Sequence, residues 1–310
     1  MDFSSINPAL LVAALMVSST PILLAALGEM VVERAGVLNL GVEGMMIMGA
    51  VTGFVVGFNT EIPALGFVAA AGSGALFALL FGLLTQVLLS NQVATGLGLT
   101  LMGLGLSSLI GKPYEGMKAP SLPKIDFGPL SDIPFFGRVL FGHDAIVYLS
   151  LGMVAAVWYV LRHTRIGLIL KAVGENHDAA HSLGYKVVRI RLAAVAFGGA
   201  CAGLGGAYLS LVRLPQWTEG MTAGAGWIAL AIVVFASWRA GRVLVGAYLF
   251  GGLTVLQLNL QAAGMTAGVQ YLSMSPYLIT ILVLVLITSG RFKGAHSAPA
   301  SLGRLFEVTR

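Results

Sequence analysis

Long stretches without Asp, Glu, Lys or Arg constrain this chain more than any other feature of its sequence. The seven longest cover residues 3–28, 44–60, 62–111, 145–161, 192–212, 220–238 and 243–290. A helix that crosses a bilayer needs about 20 mostly apolar residues. Charged residues make up 10% of the chain, which is too few to cover a soluble fold. The sequence therefore predicts an all-α, polytopic transmembrane helical bundle, organised as a single domain over residues 1–310.

Two of these stretches are long enough to cross the membrane twice. The polar residues 90–92 divide the run 62–111, and the polar segment 257–275 divides the run 243–290. Counting both divisions predicts about nine spans, within a range of eight to ten.

The distribution of Lys and Arg predicts the orientation, because cytoplasmic loops are enriched in both. With nine spans, thirteen of the 18 lie on one side, namely Arg34, Arg162, Arg165, Lys171, Lys186, Arg189, Arg191, Arg239, Arg242, Arg291, Lys293, Arg304 and Arg310. We expect this side, with the loop 162–191 and the C-terminus, to be cytoplasmic. The loop 112–144 balances its bases with acids. We expect this loop and the N-terminus outside.

Small residues recur at a spacing of four in two of the predicted spans. They are Gly49, Gly53 and Gly57 in one span, and Gly198, Ala202 and Gly206 with the parallel pair Gly199 and Gly203 in the other. Such stripes let membrane helices approach closely, so we expect helix–helix contacts there.

The segment 33–46, ERAGVLNLGVEGMM, combines charged residues, an asparagine and three glycines between two spans. Irregular backbone at membrane depth persists only inside protein or along a wet cavity. Glu43 begins an apolar run, where an ionisable residue indicates a functional site. Alternatively, Glu43 lies in the first turn of the next helix, where its charge suits the helix dipole. The residues alone leave both interpretations open.

The middle of the basic loop, residues 174–184, reads GENHDAAHSLG and predicts a short helix bracketed by glycines. Ala179, Ala180 and Leu183 share a face by their i, i+3, i+4 spacing. A short amphipathic helix on a cytoplasmic surface indicates a binding partner, either lipid or a protein groove. His177 and His181 have the spacing of metal ligands, but no third ligand is apparent. We therefore predict no metal site and no cofactor.

The chain has no phosphate-binding loop of the form G-x-x-x-x-G-K-[ST], so it is not expected to hydrolyse ATP. Motifs of dinucleotide-binding, zinc-peptidase and serine-hydrolase enzymes are also missing. We therefore predict a non-catalytic protein.

Four segments follow one another in a characteristic order. They are ERAGVLNLGVEGMMIMGA at 33–50, NQVATGLGLTLMGLGLSSLIG at 91–111, the segment 174–211 and GMTAGAGWIALAIVVFASWRAGRVLVGAYLFG at 220–251. Together they resemble the binding-protein-dependent ABC permeases, in the branch of branched-chain amino acid, simple-sugar and nucleoside importers. The AGVLNLGVEGMM form is most similar to nucleoside-type permeases. One departure is Arg239, since proline usually follows the late tryptophan in that family.

The resemblance implies an importer permease fold in the bacterial cytoplasmic (inner) membrane. It implies an assembly with a cytoplasmic ABC ATPase, a second and unlike permease subunit, and an extracytoplasmic solute-binding protein. Membrane lipid and a small solute, a nucleoside or simple sugar, are the other expected ligands, and nucleic acid is not. The short helix would couple the ATPase to the spans through Gly174, Glu175, Asn176, Asp178, Ala179, Ala180, Leu183 and Gly184.

A mildly polar translocation path is expected for such solutes, because amides and hydroxyls can meet their hydroxyl groups. The candidates are Asn39, Glu43, Asn91, Gln92, Thr95, Gln257 and Asn259, with Gln261 beside them.

An ion-coupled secondary transporter is the main alternative function. It would need a buried ion site near the midplane, and we expect Glu43 to be the only carboxylate in the core. A membrane enzyme acting on lipids is disfavoured, because paired acids, histidine clusters and a nucleophile are not apparent. A structural scaffold would be excluded if deleting the chain abolished solute uptake.

Overall fold

The computed structural model describes residues 8–131, 133, 134, 136–262, 274, 278, 281, 282, 285 and 298–307. Regular structure in these residues is helical, apart from three isolated β-bridges. The α-helices are α1 (Pro8–Arg34), α2 (Val42–Thr60), α3 (Pro63–Gly82), α4 (Gln92–Gly111), α5 (Phe136–Leu140), α6 (Ala145–His163), α7 (Arg165–Glu175), α8 (His177–Ser182), α9 (Val187–Tyr208), α10 (Ala225–Phe235) and α11 (Ala240–Ala262). Single π-helical turns, Leu83–Val87 and Leu209–Arg213, extend α3 and α9.

Seven of the described helices are long and apolar enough to cross a membrane, which confirms the all-α transmembrane class. They are α1, α2, α3, α4, α6, α9 and α11. The predicted count of about nine spans is not confirmed. The run 220–238 forms only the 11-residue α10, which is about 16 Å long, half of a bilayer core. Most of the second half of the run 243–290 lies outside the described residues.

Helix α9 lies at the centre of the bundle and packs against α1, α2 and α3. Glycines make these contacts close. A Cβ on Gly49 would lie 2.3 Å from Gly203 Cα, and a Cβ on Gly74 would lie 2.2 Å from Gly199 O. A Cβ on Gly206 would lie 1.9 Å from Met46 O. The predicted helix–helix contacts along the small-residue stripes are therefore confirmed.

Gly203→Val is expected to lower the melting temperature of the protein sharply. Its Cβ would lie 2.1 Å from Ala70 O, and backbone cannot yield as a flexible side chain can. Overpacking a membrane-helix contact of this kind should cost about 1–3 kcal/mol or more. Thermal unfolding in detergent measures the effect.

Gly72→Val in α3 is the matched control, since no atom lies within 4 Å of its Cβ position. Equal melting temperatures for the two variants would show that the α3–α9 contact is looser than described.

Loops and short helices meet at one end of the bundle, which we call the basic end. It comprises the α1–α2 loop 35–41, α7, α8, the residues 236–239 and the C-terminal segment 298–307. Ser301 N–H donates to Gly174 O at 2.9 Å and Gly303 N–H to Gly36 O at 3.2 Å. The opposite end carries the segment 112–144, where Glu115 bridges to Trp217 and Lys118 to Gln216.

Candidate functional site

The α1–α2 loop folds back into the protein instead of lying on its surface. Ala35, Val37 and Asn39 are completely buried. The Asn39 side-chain oxygen accepts from Gly41 N–H at 3.0 Å, and its amide nitrogen donates to Glu29 Oε2 at 3.2 Å. These bonds hold the irregular turn inside the protein, where it is shielded from the surroundings.

Glu43 joins the start of α2 to the start of α10. One carboxylate oxygen, Oε1, accepts from the Thr222 hydroxyl at 2.5 Å and from Gly224 N–H at 3.0 Å. The other, Oε2, accepts from Gly226 N–H at 2.7 Å. Glu43 lies in the first turn of α2, as the helix-dipole interpretation expects, and it also caps a second helix. The positive ends of two helix dipoles thus stabilise one buried negative charge.

Two further carboxylates lie in the core. Glu29 and Glu33 are 1% and 2% exposed. Trp238 Nε1 donates to Glu33 Oε2 at 2.5 Å, which ties the end of α1 to the residues after α10. The prediction that Glu43 is the only core carboxylate is therefore wrong. The charge-free run that predicts the first span ends at Gly28, whereas α1 continues to Arg34 and includes both carboxylates.

Asn39 lies in the α1–α2 loop, Glu43 follows it in the first turn of α2, and Gln92 contacts the same loop. Gln92 is buried, and its side-chain oxygen accepts from Leu38 N–H at 2.8 Å. The neighbouring Asn91 is exposed and caps α4 by accepting from Ala94 N–H. The Thr95 hydroxyl is hydrogen-bonded to Ser90 at 2.8 Å.

Gln257, Asn259 and Gln261 lie apart from that group. They are half-buried near the end of α11, about 25 Å along the helix from its start beside Trp238. Val255 and Leu258 of the same stretch line a cavity with Arg213, Asp144 and Lys124. The predicted path residues thus fall into two groups at different depths, and their role stays a prediction.

The predicted surface helix is present as α8, which follows α7 after a one-residue break. Asn176 caps α8 by accepting from Ala179 N–H at 2.9 Å. Gly184, with φ of +89°, ends the turn in the left-handed region that favours glycine. Gly174 lies within α7 instead of preceding the helix, and a Cβ there would lie 2.1 Å from Arg34 O. Glycine at 174 therefore permits close contact between α7 and the end of α1.

Helix α8 has an inner and an outer face. Ala180 is buried and packs with Val173, Val187 and Phe306. Asp178, Ala179 and Leu183 face outward, and Leu183 is 76% exposed. Ala180 therefore differs from the expected common face with Ala179 and Leu183. Because helix α8 rests on the protein through one side, only the other side is available to a partner.

Arg191 connects α8 to the membrane helices. Its guanidinium is completely buried and donates to Ala35 O at 3.2 Å and to Gln86 Oε1 at 3.1 Å. It also donates to Arg304 O at 3.1 Å and lies 3.2 Å from His177 Nδ1. One side chain thus links the α1–α2 loop, the π turn after α3, α8 and the C-terminal segment.

The C-terminal segment packs beneath α8 through Phe306. The Phe306 ring contacts the rings of His177 and His181, each with a centroid distance of 5.3 Å. Burial and the neighbouring Arg191 lower the pKa of His177, so a neutral ring with Nδ1 as acceptor fits the contact with Arg191. Within the described residues, no group of three His, Cys, Asp or Glu is arranged to hold a metal ion.

Comparison with known proteins identifies the family of this chain. Residues 11–288 match the profile described as the branched-chain amino acid transport system permease component. The chain belongs to this family. The permease is 43% identical to a putative glucose ABC transporter permease of Haloferax volcanii, over 86% of this chain and 88% of the relative.

Two further relatives cover almost the whole permease. A guanosine ABC transporter permease of Bacillus subtilis and a nucleoside ABC transporter permease of Lactococcus lactis are each 32% identical, over 95% of both chains. No solved structure matches the chain significantly. The recognition of an ABC permease from four short segments is thereby confirmed. The relatives are transport subunits, which fits a non-catalytic role.

Sequence reasoning missed three parts of this site, the carboxylates Glu29 and Glu33, the Arg191 contacts and the C-terminal segment. The sequence does contain a signal for the two carboxylates. Glu29 and Glu33 are spaced i, i+4, and no helix-breaking residue lies between Glu29 and the end of α1. Arg191 was counted only as a cytoplasmic charge. Its partners come from distant parts of the permease, so no local pattern could have revealed them.

Proposed function

We propose that the permease is the membrane-spanning subunit of an ATP-binding-cassette importer that translocates nucleosides or simple sugars. The observation that carries this proposal is the pair of full-length relatives named for guanosine and nucleosides, together with the glucose relative at higher identity. These solutes share a hydroxyl-rich ring. An ion-coupled carrier is not favoured, because these relatives are ABC transporter subunits.

The proposed assembly contains the permease as one transmembrane domain, a second and unlike permease, a cytoplasmic ABC ATPase and an extracytoplasmic solute-binding protein. The basic end is proposed to face the cytoplasm, since most of the Lys and Arg residues belong to it or to its flanking segments. The segment 112–144 would then face the binding protein.

The outer face of α8 is proposed to dock into a groove of the ATPase. Ala179 is small and Leu183 is apolar, and both are exposed, so together they form a shallow apolar contact surface. The inner face transmits the motion, because Ala180 is packed and His177 contacts Arg191. Arg191 in turn holds Ala35 and Gln86. Nucleotide binding by the ATPase would thus bias a two-state equilibrium of the membrane helices.

The translocation path is proposed to include the polar residues predicted from the sequence. Asn39, Glu43 and Gln92 are engaged in intramolecular bonds that shape its inner part. Gln257 and Asn259 on α11 would contact solute closer to the other end. Amide side chains can both donate and accept, which suits the hydroxyls of a sugar ring.

Solute uptake by the complete transporter tests the proposal. The permease would be expressed with the ATPase, second permease and binding protein of its own genome, and uptake of labelled guanosine and labelled glucose would be compared. We expect ATP-dependent uptake of one of them that persists when ion gradients are collapsed. Uptake that requires an ion gradient and no ATP would establish the ion-coupled alternative.

A further inference from the structure

A cavity of about 680 Å³ opens at the basic end of the permease, between α1, α6, α7 and the α10–α11 junction. Five of the ten residues that line it are basic, and none is acidic: Arg34, Arg162, Lys171, Arg239 and Arg242. They come from four separate elements, so the cluster is produced by the fold and not by a local run of charge. Gathering like charges costs energy, so a bound anion would stabilise the cavity.

The electrostatic cost of bringing these basic residues together is visible at Lys171. Burial lowers the pKa of Lys171, and the nearby Arg34 and Arg162 lower it further. The Glu33 carboxylate accepts a hydrogen bond from Trp238, and the exposed Glu175, which does not line the cavity, interacts electrostatically with Arg34. Arg34 donates to Trp238 O at 3.0 Å, and this bond holds its guanidinium in place at the cavity wall.

Two features place the cavity at the membrane surface. Trp158 is 46% exposed, and the Arg162 guanidinium lies over its ring at 5.8 Å from the centroid. Tryptophan favours the level of lipid headgroups. The first turn of α11, at Ala240 and Gly241, also lines the cavity, and N–H groups at a helix start attract anions.

An apolar groove lies next to the cavity. It measures about 590 Å³, lies between α6, α7 and α9, and is lined by no charged residue. Leu161 lines both the groove and the basic cavity. On α1, Val31 lines the groove and Arg34, one turn later, lines the cavity. A cationic site joined to an apolar groove matches a phosphate headgroup joined to an acyl chain.

We propose that this cavity and groove bind one anionic phospholipid, with its phosphate among Arg34, Arg162 and Lys171 and an acyl chain along α6 and α9. Basic pockets between membrane helices on the cytoplasmic side are suited to such headgroups. This site requires the permease to be in a membrane, but it does not depend on which solute is transported. The lipid would hold α6 and α7 against α1.

Lipid binding to the purified full-length permease tests this site. Phosphatidylglycerol and phosphatidylcholine would be titrated in detergent, with binding measured by native mass spectrometry and thermal stabilisation. We expect phosphatidylglycerol to bind and stabilise the protein, and phosphatidylcholine to do so much more weakly. Arg162→Gln with Lys171→Gln should weaken phosphatidylglycerol binding by roughly 30-fold.

Lys186→Gln with Arg189→Gln is the matched control, because both residues are exposed at the same end and outside the cavity. Equal losses in both double variants would overturn the site in favour of diffuse surface attraction. Inorganic phosphate that displaces the lipid and stabilises equally well would show a free-anion site instead. If the first double variant fails to fold, the single variant Arg162→Gln at an exposed lining residue replaces it, and unchanged lipid affinity there would contradict the proposal.

Discussion

Ala179→Trp is expected to abolish ATP-driven uptake while the permease still inserts and folds. Ala179 lies on the outer face of α8, so an indole there would not disturb the packing of Ala180 against Val173 and Phe306. It would instead fill the space that the ATPase groove needs. Uptake should fall to background, and less ATPase should co-purify with the permease.

Two controls separate docking from folding. Ala179→Ser keeps the site small and should retain uptake close to that of the parent protein. Lys118→Trp places the same indole on an exposed position at the opposite end of the bundle and should retain ATPase co-purification. Normal uptake by Ala179→Trp would refute the proposed docking face.

Glu43→Gln is expected to destabilise the permease and to reduce uptake to background. A glutamine can accept through one oxygen only, and its NH2 group would face an N–H or hydroxyl donor that Glu43 now satisfies. Hydrogen bonds to a charged group contribute about 1.5–3 kcal/mol each, and leaving a buried donor unsatisfied costs about 1–3 kcal/mol. The melting temperature in detergent and the uptake rate measure the two effects.

Glu61→Gln at the exposed end of α2 is the matched control, and a surface change of this kind should stay within about 0.5 kcal/mol. The comparison also separates the two interpretations of Glu43. Loss of stability assigns Glu43 to the junction of α2 and α10. Unchanged melting with lost uptake would assign it to the translocation path.

The spans and their packing could be predicted because both follow from local composition. A charge-free run of sufficient length becomes α2 or α4, and a glycine every fourth residue on α9 becomes a close contact with α2 or α3. The short helix α8 was predictable for the same reason. Its cap, Asn176, and its terminating glycine, Gly184, lie within a few residues of it.

The polar interior could not be predicted, because it depends on which distant segments meet. The run 220–238 has the composition of a full span, yet its first part becomes an irregular segment whose donors bind Glu43. Likewise, Arg191 resembles any cytoplasmic arginine until Ala35 and Gln86 are placed beside it. The hydropathy of a segment indicates whether it lies in an apolar environment. It does not show which distant residues the segment contacts.

The junctions at Glu43 and Glu33 have a consequence for the transport cycle. They fasten α10 at both ends, the first to the start of α2 and the second to the end of α1. A conformational change that separated α10 from α1 and α2 would have to break both buried carboxylate contacts at once. Because α9 packs closely against α1 and α2, we expect α1, α2, α9 and α10 to move as one rigid body. Opening and closing would then occur by sliding along the outer boundary of that body.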